Sequence, residues 1–206
     1  MRIGVTVPEL KTENEDRPKA RPAYGEGREA LLRAAVHVVA NRGLRNLTFR
    51  AVAAEAGMTH GLVRHHFGTR DALIEAALEH SVLTSMESGA LEPGTGEMAD
   101  FSAGLAAAVT KEPDTQAFQY ELMLEARRTP ALSHLTEKVY SSYREATRRE
   151  LIALGLGDDT ALTDLVFAAL DGLVFDQLTH GLDEGRAERA LERLREILTG
   201  LRSAGT

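Results

Sequence analysis

An all-α fold is predicted for this chain of 206 residues, and three observations predict it. Apolar residues recur three and four apart along most of the chain, the repeat of a helix with one buried face. Threonine, aspartate, proline and glycine punctuate these segments where helices start and stop. No stretch shows the period-two alternation of a half-buried strand, and no internal repeat is visible.

The first 25 residues contain Lys11, Arg17, Pro18, Lys19, Arg21 and Pro22 with little apolar periodicity, which predicts a disordered arm over residues 1–25. Its four acids nearly balance its five bases, so a plain tail is expected rather than an arm that enters a minor groove. Glu26 to Asn41 is predicted as the first helix, with Leu31, Ala35, Val38 and Val39 inward and Gly43 as its stop.

Thr48 to Leu73, TFRAVAAEAGMTHGLVRHHFGTRDAL, reads as two short helices joined by a tight turn and followed by a third. Phe49, Val52, Ala53 and Ala56 share one face of the first, and Met58, Val63 and Phe67 continue the apolar set beyond the turn. Gly57 stands where the chain needs positive φ, which glycine adopts without a Cβ clash. Thr48, Thr59 and Thr69 stand at three helix starts, where a hydroxyl accepts from an orphan backbone N–H. This is the layout of a helix-turn-helix, whose second helix, here Thr59 to His66, enters the major groove. Its outward residues are His60, Gly61, Leu62, Arg64, His65 and His66. Arg50 and Arg70 lie on either side of it, where a guanidinium reaches a base edge or a phosphate.

The fourth helix is expected from Asp71 toward Glu87, with a break over Gly89 to Gly96. Further helices follow over Glu97 to Lys111, Asp114 to Arg128, Pro130 to Leu154, with Thr129 as cap, and Asp158 to His180. Leu132, Leu135, Val139, Tyr143 and Ala146 form one stripe. The last helix, Arg186 to Leu201, carries Ala187, Leu191, Leu194, Leu198 and Leu201 on one side. The segment LTDLVFAALDGLVFDQL is apolar nearly all round, so it must be covered on more than one side. One face is expected on an internal cavity and the other on a second subunit, with Gly172 allowing close approach. A helix-turn-helix that reads palindromic DNA needs two copies, which favours a homodimer over a monomer with a central core helix. Polar and aromatic residues embedded in these helices, Phe118, Tyr120, Met123, Tyr143, Asp171, Phe175, Asp176 and His180, are the candidate ligand-binding residues.

Composition bounds the alternatives. There is no cysteine, so disulfides, thiolate metal sites and thiol catalysis are excluded. No run of about 18 apolar residues and no apolar signal core appear, so a cytoplasmic protein without a membrane partner is expected. The formal charge of −7 is segregated: residues 1–80 carry 12 basic and 10 acidic side chains, residues 81–206 carry 12 and 21. An acidic body behind a weakly basic head would orient the head toward DNA, and the acids would equally serve to keep exposed helix faces soluble. His65 and His66 point about 100° apart on a helix, and no carboxylate lies one turn away to complete a metal site. With no phosphate-cradling glycine loop either, neither an enzyme nor a cofactor is expected.

Leu47 to Arg50 followed by AAEAGMTHGLVRHHFGTRDAL resembles the DNA-binding domain of the TetR (tetracycline repressor) family, whose usual pattern is a Thr-started helix, AxxAGVSxGxLYxHF and a short cap. The matching residues are Ala53, Ala54, Ala56, Gly57, Met58, Thr59, Gly61, Val63, His66, Phe67, Thr69, Arg70 and Leu73. The resemblance is motif-level over about Gly27 to Leu83; the rest matches in length and helical layout. It implies Arg50 and His60 as base or phosphate contacts, Gly61 as close groove approach, and Thr48, Thr59, Arg64, His65 and Arg70 as mostly phosphate contacts. Arg64 departs from the usual tyrosine, so a guanidinium either replaces a phosphate-contacting hydroxyl or reads guanine. The expectation is therefore a three-helix helix-turn-helix DNA-binding domain at residues 26–70 and a helical ligand-binding and dimerisation domain at residues 71–206. Together they would form a dimeric repressor of a double-stranded operator, released by a small-molecule effector. The alternative is a helical small-molecule-binding or scaffold protein without operator binding.

Overall fold

The computed structural model describes residues 24–87 and 95–204. Nearly all of the arm expected over residues 1–25 and most of the break expected over Gly89 to Gly96 lie outside them. The described residues form α-helices and short 3-10 turns, with no strand among them. Helix α1 spans Tyr24–Arg42 and ends where Gly43 takes φ +79°. A 3-10 turn, Leu44–Asn46, leads to α2 (Phe49–Glu55), α3 (His60–Phe67) and α4 (Arg70–Glu87). The body continues through α5 (Leu105–Lys111), α6 (Pro113–Ala126), α7 (Ser133–Ala153), α8 (Thr160–Thr179) and α9 (Glu184–Ala204).

Two expected helices begin differently. The helix predicted over Glu97 to Lys111 is a 3-10 turn, Met98–Asp100, a bend, and then α5. Ser102 at φ +52° and Gly104 at φ +80° break it, since no right-handed helix accommodates positive φ. The bend sinks Phe101 to 2% exposure, and the Phe101 carbonyl accepts from Arg195 Nε of α9 at 2.9 Å. The helix predicted from Pro130 opens as a 3-10 turn, Pro130–Leu132, and becomes α7 at Ser133. Thr129 does not cap it with its side chain; the hydroxyl turns instead to Glu125 Oε1 at 3.4 Å. By contrast, Asp159 caps α8 by accepting from the N–H groups of Ala161 and Leu162, the role short polar side chains play at helix starts.

The core is built as two clusters. The first joins Leu31, Val38 and Val39 of α1 and Val52 and Val63 of the helix-turn-helix to Leu73 and Ile74 of α4. It also takes in Phe118 and Leu122 of α6 and Leu135 and Val139 of α7. It therefore runs without interruption across the boundary expected at Arg70. The second cluster gathers Leu105 and Val109 of α5, Leu151 of α7, Val166 and Leu170 of α8 and Leu191 and Leu198 of α9. Helix α6 reaches both, because Tyr120 packs against the second.

Helix α8 divides as its composition requires. Val166, Phe167, Leu170 and Val174 are buried, while Leu165 is 68% exposed and Ala168, Gly172 and Phe175 are exposed beside it. A Cβ added at Gly172 would meet nothing within 4 Å, so this glycine accommodates no helix of its own chain.

Phe118 has no solvent exposure, and its truncation to alanine should cost about 3–5 kcal/mol. Urea unfolding followed by circular dichroism measures this. A single shifted transition is expected; a head that unfolds separately with unchanged midpoint would contradict the shared core.

Candidate nucleic-acid interface and ligand cavity

Helices α2 and α3 are seven and eight residues long, too short to persist alone in water. Local bonds fix their ends. Thr48 Oγ1 accepts from Ala51 N at 3.1 Å, Thr59 Oγ1 from Leu62 N at 3.3 Å and Thr69 Oγ1 from Ala72 N at 3.1 Å, the three caps expected. Gly57 takes φ +63° in the turn, and Met58 N closes it onto Ala53 O at 2.8 Å.

Val63 and Phe67 hold α3 to the core, and Arg28 of α1 lies over the Phe67 ring at 5.5 Å. The opposite face presents His60, Gly61, Arg64 and His65 to solvent, with Arg50 exposed at the start of α2. Nothing lies within 4 Å of a Cβ built on Gly61. Leu62, expected outward, is half-buried and packs against the first cluster. His60 leans on Phe49, ring centroids 5.9 Å apart. Burial, and then the charges of His65 and Arg28, hold the His66 imidazole below its usual pKa, so Arg64 is the fixed positive charge of this face.

Arg70 stands apart from the other expected contacts. Its Nε donates to Leu47 O at 2.9 Å and its Nη2 to Leu44 O at 2.7 Å. The guanidinium thus ties the start of α4 to the loop that leads into α2. Sequence pattern could not show this, because both acceptors are backbone carbonyls more than 20 residues away.

Head and body also meet at a polar joint. His37 Nδ1 and Asn41 Nδ2 of α1 lie 2.6 Å and 3.1 Å from the carboxylate of Asp114, in the first turn of α6. His37 Nε2 faces Glu55 of α2 at 3.6 Å.

Behind this joint, α6, α7 and α8 enclose a small cavity, and Leu105 of α5 adds to its wall. Of the eight ligand candidates the cavity brings together Tyr120, Met123, Tyr143 and Asp171. Tyr120 donates to Asp171 Oδ1 at 2.7 Å and Tyr143 to Gln119 Oε1 at 3.0 Å. Burial, then the Asp171 charge, raises the Tyr120 phenol far above its ordinary range. Phe118 lies about 200° round α6 from Tyr120, in the first core cluster rather than in this wall. Phe175 meets the Tyr120 ring edge-on at 5.3 Å but is 39% exposed and outside the lining. Asp176 and His180 pair with one another at 3.2 Å on the surface. They lie about 140° and 180° round α8 from Asp171, too far to share its face. The lining also includes Gln116, Gln119, Tyr140, Thr147, Phe167, Leu170 and Val174. Helical spacing held the signal for two of them: Phe167 and Val174 stand four and three residues from Asp171.

Among the described residues no group of three or more histidine and acidic side chains is placed to hold a metal ion, and no helix is long and apolar enough to cross a membrane.

Residues 31–77 match the family model described as bacterial regulatory proteins, tetR family, and residues 93–201 match that of a tetracyclin repressor-like C-terminal domain. The chain is similar to a helix-turn-helix-type transcriptional repressor of Mycobacterium tuberculosis, 42% identical over 65 residues, which span 32% of this chain and 35% of that protein. The match thus spans about a third of that relative's length. Among solved structures, a TetR-family member from Streptomyces coelicolor A3 is similar at TM-score 0.63 and 31% identity, over 85% of this chain and 98% of that one. The multidrug-binding protein EbrR, solved with imidazole, is similar at TM-score 0.56 and 31% identity, over 85% and 89% of the two chains.

The two Arg70 bonds yield an expectation that needs no DNA. Arg70→Ala should lower stability by about 1–3 kcal/mol through the two bonds lost from the charged group, read in a urea titration. Ordinary surface behaviour, within about 0.5 kcal/mol of the parent, would leave the tie without weight.

Proposed function

The chain belongs to the TetR family of helix-turn-helix transcriptional regulators, and we propose that it acts as a homodimeric repressor whose two α3 helices read successive major grooves of a palindromic operator until a small molecule enters the cavity. That family is not an enzyme class. The observation that carries this reading is the double duty of α6. Its Gln116, Gln119, Tyr120 and Met123 line the cavity, while its Phe118, Leu122 and Asp114 seat α1 and hence the reading helices. A ligand that favours one seating of α6 therefore favours one placement of the heads, which is what release requires. EbrR, described as multidrug-binding, gives precedent within the fold for a small-molecule site.

In this reading Arg50 and His60 reach base edges or phosphates, Thr48, Thr59, Arg64 and His65 meet mainly phosphates, and open Gly61 lets the groove come close. A scaffold without operator binding would have no use for two exposed arginines around α3. The dimer follows from the outer face of α8, Leu165, Ala168, Gly172 and Phe175, with Ile197 and Leu201 of α9, 50% and 47% exposed. Large apolar side chains exposed on two adjacent helices favour an interface, and two copies would close it as a four-helix seam.

Retardation of the DNA upstream of its own gene, at low salt, is the first expected outcome; none would count against operator binding. His60→Ala or Arg50→Ala should cost about 1–3 kcal/mol at one operator position if either touches a base. Arg64→Ala should weaken all sequences alike and flatten the salt slope by about one if it meets a phosphate.

Leu165→Arg, at the centre of the apolar face of α8, should yield monomers in sedimentation and lower operator affinity more than any single contact variant, because two half-sites no longer act through one molecule. A folded variant that stays dimeric would remove this face from the seam.

A further inference from the structure

We infer that the cavity between α6, α7 and α8 takes a small organic cation, a protonated or alkylated amine, with Asp171 as its counter-charge; this rests on the ligand-responsive reading above. Asp171 is the one charged residue in the cavity wall. The hydrogen-bond donors of that wall are already turned into the protein. Tyr120 donates to Asp171 Oδ1 at 2.7 Å and Tyr140 to Oδ2 at 3.4 Å. Tyr143 donates to Gln119 Oε1 and Thr147 to the Tyr143 carbonyl, both at 3.0 Å. Gln119 Nε2 donates to Ser81 and Ser85 of α4, and Gln116 Nε2 to Ser85. What remains toward the cavity is acceptor lone pairs, one carboxylate and the rings of three tyrosines and Phe167.

Each class of ligand meets this wall differently. An anion would face Asp171 with almost no uncommitted donor and no cation. Arg144, which lies over the Phe167 ring at 5.7 Å, is turned to Asp164 at 3.4 Å and lines a separate depression outside. A neutral apolar ligand would strip water from the carboxylate without replacing it. An organic cation replaces that water with an opposite charge and lays its alkyl groups on the aromatic faces. Burial raises the Tyr120, Tyr140 and Tyr143 phenols, so they stay neutral and the wall presents a single negative charge. The cavity is small, about 60 Å³, room for a few water-sized groups, which suits a compact amine.

The test is calorimetric titration of the full chain without DNA, using n-pentylammonium and tetramethylammonium as cations and 1-pentanol and pentanoate as neutral and anionic counterparts. At least one cation should bind saturably, with 1-pentanol and pentanoate about tenfold weaker or silent. Asp171→Asn should weaken the cation by about tenfold or more, while Asp176→Asn, which removes a surface carboxylate of α8 outside the cavity wall, should bind it nearly as the parent does. Silence of both cations overturns the inference, as does equal affinity for pentanol or pentanoate, or an Asp171→Asn variant that binds the cation undiminished. If Asp171→Asn does not fold, the comparison among ligands on the parent chain decides by itself. Gel retardation by the unliganded protein is scored separately. A cation that fails to bind while the operator is still bound sinks only this assignment; loss of operator binding with the cation still bound sinks the repressor reading.

Discussion

Phe118 and Leu122 of α6 are wholly removed from solvent in the same cluster as Leu31, Val38 and Val39 of α1, so the helices that carry α3 are seated on α6. Helices as short as α2 and α3 hold their form only where tertiary contacts keep them; α1 and α4 supply those contacts and are themselves seated on α6. At the rim of this apolar joint, Asp114 receives His37 and Asn41. Apolar burial supplies the strength, and the polar rim supplies direction, since the hydrogen-bond geometry is satisfied only over a narrow range of helix placements.

The charge distribution works with this joint. The residues through position 80 are nearly balanced and those beyond carry the excess of acid, so a polyanion repels the body and tolerates the head. Within the head, His66 is held toward its neutral form and Arg70 is bonded to backbone. Arg50 and Arg64 are thereby the exposed guanidiniums closest to the outer face of α3.

Much of this was legible in the sequence where the determining physics is local. Three threonine caps, the positive φ of Gly57 and the inward set Val52, Ala53, Val63 and Phe67 follow from spacing alone, and the family resemblance adds the orientation of α3. Expectation failed where distant partners decide. The bend at Ser102 depends on burying Phe101 and on Arg195 almost a hundred residues away. The two backbone bonds of Arg70 are likewise invisible in the sequence, because its acceptors are carbonyls that no pattern displays. Of the cavity lining, Tyr120, Met123, Tyr143 and Asp171 stand out in the sequence as polar or aromatic residues in apolar helices, whereas Asp176 and His180 lie round the turn of α8 from Asp171. The same turn, applied from Asp171, leads to Phe167 and Val174. Gln119 was hidden because its bonds reach α4 and α7, and nothing in the neighbouring residues announces them.

The two faces of α6 set unequal freedom for descent. Substitutions at Gln116 or Tyr120 alter the wall of a small cavity without entering the cluster that seats α1, whereas changes at Phe118 or Leu122 disturb the cluster that the helix-turn-helix shares. Variation confined to one stripe of a single helix can therefore reshape the cavity while the helix-turn-helix keeps its seat.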